Sequence, residues 1–110
     1  MSLVTNIKAT FNYEILDRYE AGIELFGHEV KSLRNKHGKL EGSYIRIKHG
    51  EAYLVGADIP PYQPANTDVS YNRLRDRKLM LKKNEILSFK QKTEKDGLTL
   101  IPISWYNKGS

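Results

Sequence analysis

The longest regular pattern of apolar and polar positions covers residues 13–25. Apolar side chains occupy most odd positions, and charged side chains occupy most of the even positions between them. The apolar set is Tyr13, Ile15, Tyr19, Ala21, Ile23 and Leu25. Because side chains alternate between the two faces of a β-strand, this pattern predicts one long, half-buried strand. Gly22 lies inside it, where a missing side chain allows a sharp bend or a close backbone approach.

Two later segments have the spacing of short helices. From Gly27 onward Val30 and Leu33 are three residues apart, with polar and charged side chains around them, and the run ends in a basic cluster. This spacing predicts a helix of one or two turns. A second helix is predicted over residues 83–95, and Gly97 supplies a left-handed stop just beyond it.

A β-hairpin is the clearest signal in the middle of the chain. Polar residues alternate with Ile45 and Ile47, and His49-Gly50 separates this run from a second one over residues 51–59. Glycine in the second position suits the tight two-residue turns of hairpins. Residues 43–59 are therefore predicted to form two antiparallel strands.

The rest of the chain predicts a loop and two further strands. Residues 60–72 contain Pro60, Pro61 and Pro64 and few apolar side chains, which predicts a long loop. Strands are predicted over residues 77–81 and 98–106, the second with an edge or a bulge at Pro102.

Together these elements predict a fold that is mainly β with two or three short helices. We expect an OB-fold-like antiparallel β-barrel, partly open. The 110 residues are enough for one domain that buries roughly two-thirds of its unfolded surface. We therefore expect a single domain over residues 1–110, with an N-terminal arm over residues 1–12.

Charge is distributed unevenly along the chain. The 18 Lys and Arg residues and 13 Asp and Glu residues give a net charge of +5. Residues 31–48 hold six basic and one acidic residue and residues 73–110 hold ten and four, whereas residues 1–30 hold two and five. Such segregation favours a partner that carries phosphates. A solvated charged surface is the alternative explanation.

Composition excludes several classes of function. The chain has no cysteine, so disulfides and thiolate chemistry are excluded. No apolar run approaches the roughly 20 residues of a membrane span, and residues 1–12 lack the apolar core of a secretory signal. His28, His37 and His49 share no metal-ligand spacing, and no phosphate-binding glycine loop is present. We expect a cytoplasmic protein without metal, cofactor or small-molecule substrate.

The basic segment 73–78 is the strongest candidate for binding chemistry. In an extended chain Arg73, Arg75 and Arg77 would project from one side about 7 Å apart, close to the spacing of successive phosphates. Lys78 adds a point charge. An edge strand protected by charge would show the same pattern. Four tyrosines offer either stacking surfaces for bases or ordinary sheet packing: Tyr44, Tyr53, Tyr62 and Tyr71.

Six collinear motifs resemble the SmpB family, the bacterial SsrA-binding proteins. They are Tyr-Glu-Ala-Gly-Ile at 19–23, Gly-x-Glu-Val-Lys-Ser-Leu-Arg at 27–34, Ser-Tyr-Ile-Arg-Ile at 43–47, Gly-Glu-Ala-Tyr-Leu at 50–54, Ile-x-Pro-Tyr at 59–62 and Arg-x-Arg-Lys-Leu-x-Leu at 75–81. The likeness spans residues 13–106 in the order and spacing of the family.

The resemblance implies an OB-fold protein that binds the tRNA-like domain of tmRNA (SsrA RNA) and delivers it to stalled ribosomes for trans-translation. It implies ribosome rescue without catalysis. The RNA-binding residues that it implies are Glu20, Gly22, Glu29, Lys31, Ser32, Arg34, Arg75, Arg77 and Lys78. A carboxylate such as Glu20 can accept hydrogen bonds from base edges or ribose hydroxyls, or it can orient a neighbouring arginine.

The chain departs from the family pattern in three places. Tyr71-Asn72-Arg73 replaces the usual His-Asp-Pro, and Leu79-Met80-Leu81-Lys82 replaces Leu-Leu-Leu-His. The family also continues past the position of Tyr106 with a further strand and a long basic tail that enters the mRNA channel of the ribosome. We therefore expect this chain to retain RNA binding and to lack the tail-dependent step at the decoding centre. Loss of a barrel strand would leave an unpaired edge.

Two other functions remain open from the sequence. One is a truncated scaffold or protein-interaction module that self-associates through the exposed edge. The other is an OB-fold protein that binds ribosomal RNA. An enzyme is a remote third possibility.

Overall fold

The computed structural model describes residues 2–63, 65 and 69–106. Within these ranges the chain forms six strands and three helices. The strands are β1 (Ser2–Thr5), β2 (Gly22–Ile23), β3 (Tyr44–Lys48), β4 (Glu51–Val55), β5 (Arg77–Met80) and β6 (Ser104–Tyr106). The helices are α1 (Ile7–Asn12), α2 (Gly27–Arg34) and α3 (Lys83–Glu94).

The larger sheet has four antiparallel strands in the order β2-β5-β4-β3. The predicted hairpin forms its β3–β4 half, with Ile45 opposite Leu54 and Ile47 opposite Ala52, but its second strand ends at Val55 rather than at residue 59. His49 and Gly50 make the turn, and both have positive φ, at 52° and 74°. Because primed turns require this conformation and match the twist of paired strands, the two residues fix the register of the hairpin.

The smaller sheet pairs the two ends of the described chain. Strand β1 runs antiparallel to β6, with Val4 opposite Trp105. Asn6 follows β1 and is buried, and its side-chain amide donates to the carbonyl oxygen of Pro102 at 3.0 Å. The N-terminal arm expected over residues 1–12 is therefore, from Ser2 onward, a strand and a helix built into the fold.

The long strand expected over residues 13–25 is wrong. Only Gly22 and Ile23 are in a strand, opposite Met80 and Leu79 of β5. Residues before Gly22 have no strand to pair with, because β5 ends at Met80 and the chain enters α3 at Lys83. Residues 13–21 are irregular and mostly exposed, and the Tyr19 ring contacts Phe89 of α3 edge-on at 4.7 Å between centroids.

The expected strand over residues 98–106 is confirmed only at its end. Residues 98–103 are irregular, and β6 covers Ser104–Tyr106. Pro102 lies in the irregular part, and a proline cannot donate a hydrogen bond to a strand ladder. The other predicted elements over residues 27–34, 77–81 and 83–95 are confirmed to within one residue, and Gly97 has the left-handed φ of 66°.

The core lies between the two sheets and α2. Its buried members are Leu33, Leu40, Leu54, Ala57, Ile59 and Trp105. Strand β3 is joined to the irregular segment before β6, where the Ile45 amide donates to the Leu100 carbonyl oxygen at 3.1 Å. Over the described ranges the strands do not close into a continuous barrel. The mainly antiparallel fold with short helices agrees with the prediction.

The loop predicted over residues 60–72 contains no strand or regular α-helix in its described part. Pro64 and residues 66–68, which belong to the same prediction, lie outside the described residues. Among the described helices, none is long and apolar enough to cross a membrane.

Candidate nucleic-acid interface

Helix α2 presents two different faces, and the nine predicted site residues include members of both. Glu29, Ser32 and Leu33 are buried, whereas Lys31 and Arg34 are exposed. Residues three and four apart lie on the same side of a helix, so this sequence puts one acidic and one hydroxyl side chain inward and two cations outward. The Ser32 hydroxyl donates to the Pro60 carbonyl oxygen at 2.8 Å, which ties the helix to the start of the 60–72 loop.

Glu29 is the centre of a buried ionic network. Its carboxylate accepts hydrogen bonds from Arg75 (Nη2 to Oε1, 2.5 Å) and from Arg77 (Nη2 to Oε2, 2.7 Å), and neither Glu29 nor Arg77 is exposed. The Phe26 amide also donates to Oε1 at 2.7 Å, which caps the first turn of α2. The Tyr71 hydroxyl lies 2.9 Å from Oε2. One carboxylate therefore holds together α2, β5 and the segment before β5.

Arg77 is fully engaged inside the protein. Besides Glu29, its guanidinium donates to the carbonyl oxygens of Ala57 at 3.0 Å, Arg73 at 3.0 Å and Arg75 at 3.1 Å. Arginine has five N–H donors in a rigid plane. In Arg77 these donors bind the Glu29 carboxylate and the backbone around β5. Arg77 therefore shapes the segment that carries Arg75.

The network fixes the protonation of its acidic member. Burial alone would raise the pKa of Glu29, but the hydrogen bonds from Arg75, the Phe26 amide and Arg77 outweigh it and lower the pKa from 4.5 to about 2. Burial and the hydrogen bond to Glu29 raise the pKa of Tyr71 above its usual value. Glu29 is thus an anion and Tyr71 a neutral hydroxyl at physiological pH.

The expected row of three arginines on one strand face is wrong. Residues 73 and 74 form a turn, residues 75 and 76 are irregular, and only Arg77 belongs to the strand. Arg73 binds Asp58 through two hydrogen bonds of 2.7 and 3.0 Å. Arg75 and Arg77 share Glu29, so two carboxylates offset two of the three arginine charges within the protein.

A concave pocket of about 640 Å³ lies beside the network. Its lining residues come from the start of α2, from within the 60–72 loop and from just after that loop, and they include Phe26, His28, Lys31, Tyr62, Tyr71 and Arg75. The Arg75 guanidinium lies over the Phe26 ring, 4.1 Å from its centroid, and the Lys31 ammonium lies 6.0 Å from the Tyr62 centroid. Aromatic rings and cations in one concavity are the side chains that bind unpaired bases and phosphates.

Glu20 lies in a different concavity. A groove of about 820 Å³ runs between residues 13–23 and 97–106, and Glu20 lines it together with Tyr19, Lys92 and core side chains. Among the residues that the structure describes, the groove and the pocket share no lining residue. At neighbouring Gly22 an added Cβ would lie 2.7 Å from the end of the Met80 side chain, so the close approach expected there is to a side chain.

Lys78 lies on the outer face of the larger sheet. Tyr53 is paired with Lys78 on one side and with Arg46 on the other, so a tyrosine is flanked by two cations across three strands. The Lys78 ammonium lies 3.6 Å from a carboxylate oxygen of Glu51, and both side chains are about 40% exposed. A salt bridge this exposed contributes little to stability, which leaves Lys78 available to a partner.

The structure thus divides the nine predicted residues into three groups. Glu29, Ser32 and Arg77 are buried, and they position other groups. Lys31 and Arg75 line the pocket, with Arg34 exposed one turn along α2. Glu20 and Gly22 lie in the region of the groove, and Lys78 lies on the outer face of the larger sheet.

Sequence reasoning missed Phe26 and the structural role of Tyr71. Phe26 precedes the helix motif and is half exposed, and nothing in the spacing distinguishes it from a core residue. Tyr71 replaces a residue of the family pattern, and this departure was the available signal. No cluster of three or more metal-binding side chains occurs among the residues that the structure describes.

Comparison with known proteins gives consistent results over nearly the whole chain. Residues 3–110 match a family model described as SmpB protein. An SsrA-binding protein of Burkholderia mallei is 42% identical over 109 residues, which cover 99% of this chain and 74% of that protein. An SsrA-binding protein of Prochlorococcus marinus is 46% identical over 108 residues, covering 98% and 66%.

A solved structure agrees with the sequence relatives. It is described as "tmRNA-SmpB: a journey to the center of the bacterial ribosome", and its matching chain is 44% identical with a TM-score of 0.65. The match covers 86% of this chain and 66% of that one. The chain thus spans about two-thirds to three-quarters of the length of these proteins.

Proposed function

The chain belongs to the SmpB family, and from this premise we propose that it binds the tRNA-like domain of tmRNA and takes part in trans-translation on stalled ribosomes. The observation that carries the proposal is the match to a chain described with tmRNA and the bacterial ribosome, at 44% identity and a TM-score of 0.65. Its role is binding and delivery rather than catalysis, and its place of action is the cytoplasm, where ribosomes work.

The charge distribution supports an RNA partner. Helix α2 directs Lys31 and Arg34 outward, and no carboxylate in the described residues lies within ion-pair distance of either. Cations without a carboxylate partner can neutralise phosphates and release counterions, which is the main electrostatic contribution to nucleic-acid binding. We assign direct RNA contact to Lys31 and Arg34 on this ground. We also assign it to Arg75, which is paired with Glu29 but remains 24% exposed and lines the pocket.

Other predicted residues enter the proposal in different ways. Glu29, Ser32 and Arg77 are buried and act by holding α2 and Arg75 in place. Glu20 with Gly22, and Lys78, belong to separate surfaces, so an RNA that uses all of them must wrap around more than one face. This is compatible with a folded RNA domain, which presents several backbone segments at once.

Titration of the purified chain with two RNAs tests the proposal. One is the isolated tRNA-like domain of tmRNA, and the other is an unrelated hairpin of the same length. We expect clear preference for the tRNA-like domain in a gel-shift titration, and affinity that falls steeply as salt rises. Equal affinity for both RNAs at physiological salt would reject tmRNA as the specific partner.

A further inference from the structure

The pocket beside α2 has the chemical character of a site for one nucleotide. Phe26 is 52% exposed and Tyr62 is 38% exposed, so aromatic surface that could have been buried faces solvent. Both residues line the pocket. Every nucleobase has a π-face, and stacking on aromatic side chains is the usual way in which proteins hold unpaired bases.

The cations of the pocket are arranged for an anion beside that aromatic surface. Lys31 and Arg75 line it, and no aspartate or glutamate is among its described lining residues. Arg75 is held by Glu29 from behind and by the Phe26 ring, so its guanidinium is fixed before a ligand arrives. A fixed cation loses little conformational entropy on binding, which favours affinity.

The size and surroundings favour a nucleotide within an RNA chain over a free nucleotide. About 640 Å³ lies in the range of sites for small organic ligands and can hold a base with its ribose and phosphate. Exposed Arg34 is three residues from Lys31 on the same helix and extends the positive charge beyond the pocket. A free nucleoside monophosphate would have no further phosphate for that charge, whereas an RNA chain has one at each step.

We propose that this pocket binds a single unstacked nucleotide of the bound RNA, with its base against Phe26 and Tyr62 and its phosphate at Lys31. The inference rests on the proposed function and makes it more specific. Glu29 and Tyr71 contribute by positioning Arg75 and the wall of the pocket.

Affinity measurements with matched variants test the stacking contact. We expect Tyr62→Leu to weaken binding of the tRNA-like domain by roughly 10-fold, the usual effect of losing one base stack, and Tyr62→Phe to preserve affinity because the ring remains. Phe11→Leu is the control, since Phe11 is 81% exposed on α1 and lies outside the pocket. Circular dichroism melts of all variants establish that they are folded.

Cross-linking identifies the RNA partner directly. Photoreactive benzoylphenylalanine replaces Tyr62 in one sample and Phe11 in another, and reverse transcription maps the cross-linked position. We expect the position-62 probe to mark one unpaired nucleotide, and the position-11 probe to leave that nucleotide unmarked.

The outcomes separate the two proposals. Specific binding by the wild type with unchanged affinity for Tyr62→Leu, or cross-links from position 62 only to paired helices, would overturn the pocket while the RNA-binding function stands. Equal binding of the tRNA-like domain and the unrelated hairpin by the wild type would overturn the proposed function and the pocket together.

Discussion

Glu29 shows how a side chain can be essential to a binding surface without reaching it. Its carboxylate is buried, and it accepts hydrogen bonds from Arg75 and Arg77. Removing one member of such a buried pair leaves an uncompensated charge, which costs far more than breaking an exposed salt bridge. At the residue scale, the arginines of segment 73–77 therefore differ sharply in what their loss would do.

Substitution of Arg77 should be strongly destabilising. We expect Arg77→Met to lower the free energy of unfolding by about 3 to 5 kcal/mol, because Glu29 and three carbonyl oxygens lose a buried donor. Arg73→Met is the matched control, since Arg73 is half exposed and pairs with Asp58 near the surface. It should cost about 1 kcal/mol or less. Urea denaturation at pH 7 measures both, and equal losses would contradict a special role for Arg77.

Acid should weaken the same network. The pKa of Glu29 is lowered to about 2 in the folded chain. The stability that it contributes is therefore complete above the unfolded pKa near 4.5 and is lost as the pH falls toward 2. The shift corresponds to about 3 kcal/mol. We expect the stability difference between the wild type and Glu29→Gln to shrink over this window in urea titrations. A difference that stays constant from pH 5 to pH 2 would show that Glu29 is not the group responsible.

At the scale of elements, the sequence predicts turns and helices that depend on local signals. It misses strands whose formation depends on a pairing strand elsewhere in the chain. The His49-Gly50 turn and helix α2 carry their own signals, in a two-residue turn and a three-residue apolar spacing, and both form as expected. The strand over residues 13–25 has an equally regular alternation, yet only Gly22–Ile23 pairs because β5 ends opposite them. Strand β1 was missed because its four residues gain their structure from β6, at the other end of the chain.

For the candidate binding residues too, the sequence predicts what depends on local spacing and misses what depends on distant parts of the chain. The motifs singled out Lys31 and Arg34, which the structure finds exposed, because a helix fixes which of its residues share a face. They could not reveal that Glu29 lies under Arg75 and Arg77, which follow it by 46 and 48 residues. Nor could local pattern place Glu20 in a separate groove, since that depends on how residues 97–106 return beside it.

The hairpin turn offers a test at this scale. Gly50 has a φ of 74°, and an added Cβ would meet no atom within 4 Å. Gly50→Ala should therefore cost about 1 to 2 kcal/mol through backbone strain alone. Gly27→Ala is the control, because it also has open space but begins helix α2 without a positive φ, and alanine favours helix. It should be neutral or stabilising. Thermal unfolding compares them, and equal effects would contradict the argument from φ.

On the scale of the whole molecule, net charge is a poor guide to where RNA binds. The net charge is +5, but the arginines of segment 73–77 are paired with Asp58 and Glu29, while the cations of α2 point outward. The pocket and the groove also divide the candidate residues between separate surfaces. Placement of the unpaired cations, rather than their number, should decide affinity.

The salt dependence of RNA affinity can show whether binding depends on where the cations lie or only on how many there are. We expect the double variant Lys31→Gln, Arg34→Gln to reduce the slope of log affinity against log salt for the tRNA-like domain by about 1 to 2, because two phosphate contacts are lost. Lys83→Gln with Lys90→Gln makes the same change in net charge on exposed positions of α3. Its slope should change much less. An equal reduction in both would mean that only total charge matters.

The ionic network also has a consequence for how the chain folds as it is synthesised. Glu29 leaves the ribosome 46 residues before Arg75 and 48 before Arg77, and until they follow it has no guanidinium from β5 or the preceding segment to bind. A lone carboxylate is too costly to bury. Helix α2 can form early, but it cannot settle onto the core with Glu29 charged. We therefore expect α2 to stay sensitive to protease in nascent chains whose emerged part ends before residue 75. We expect α2 to be protected once β5 has also left the ribosome.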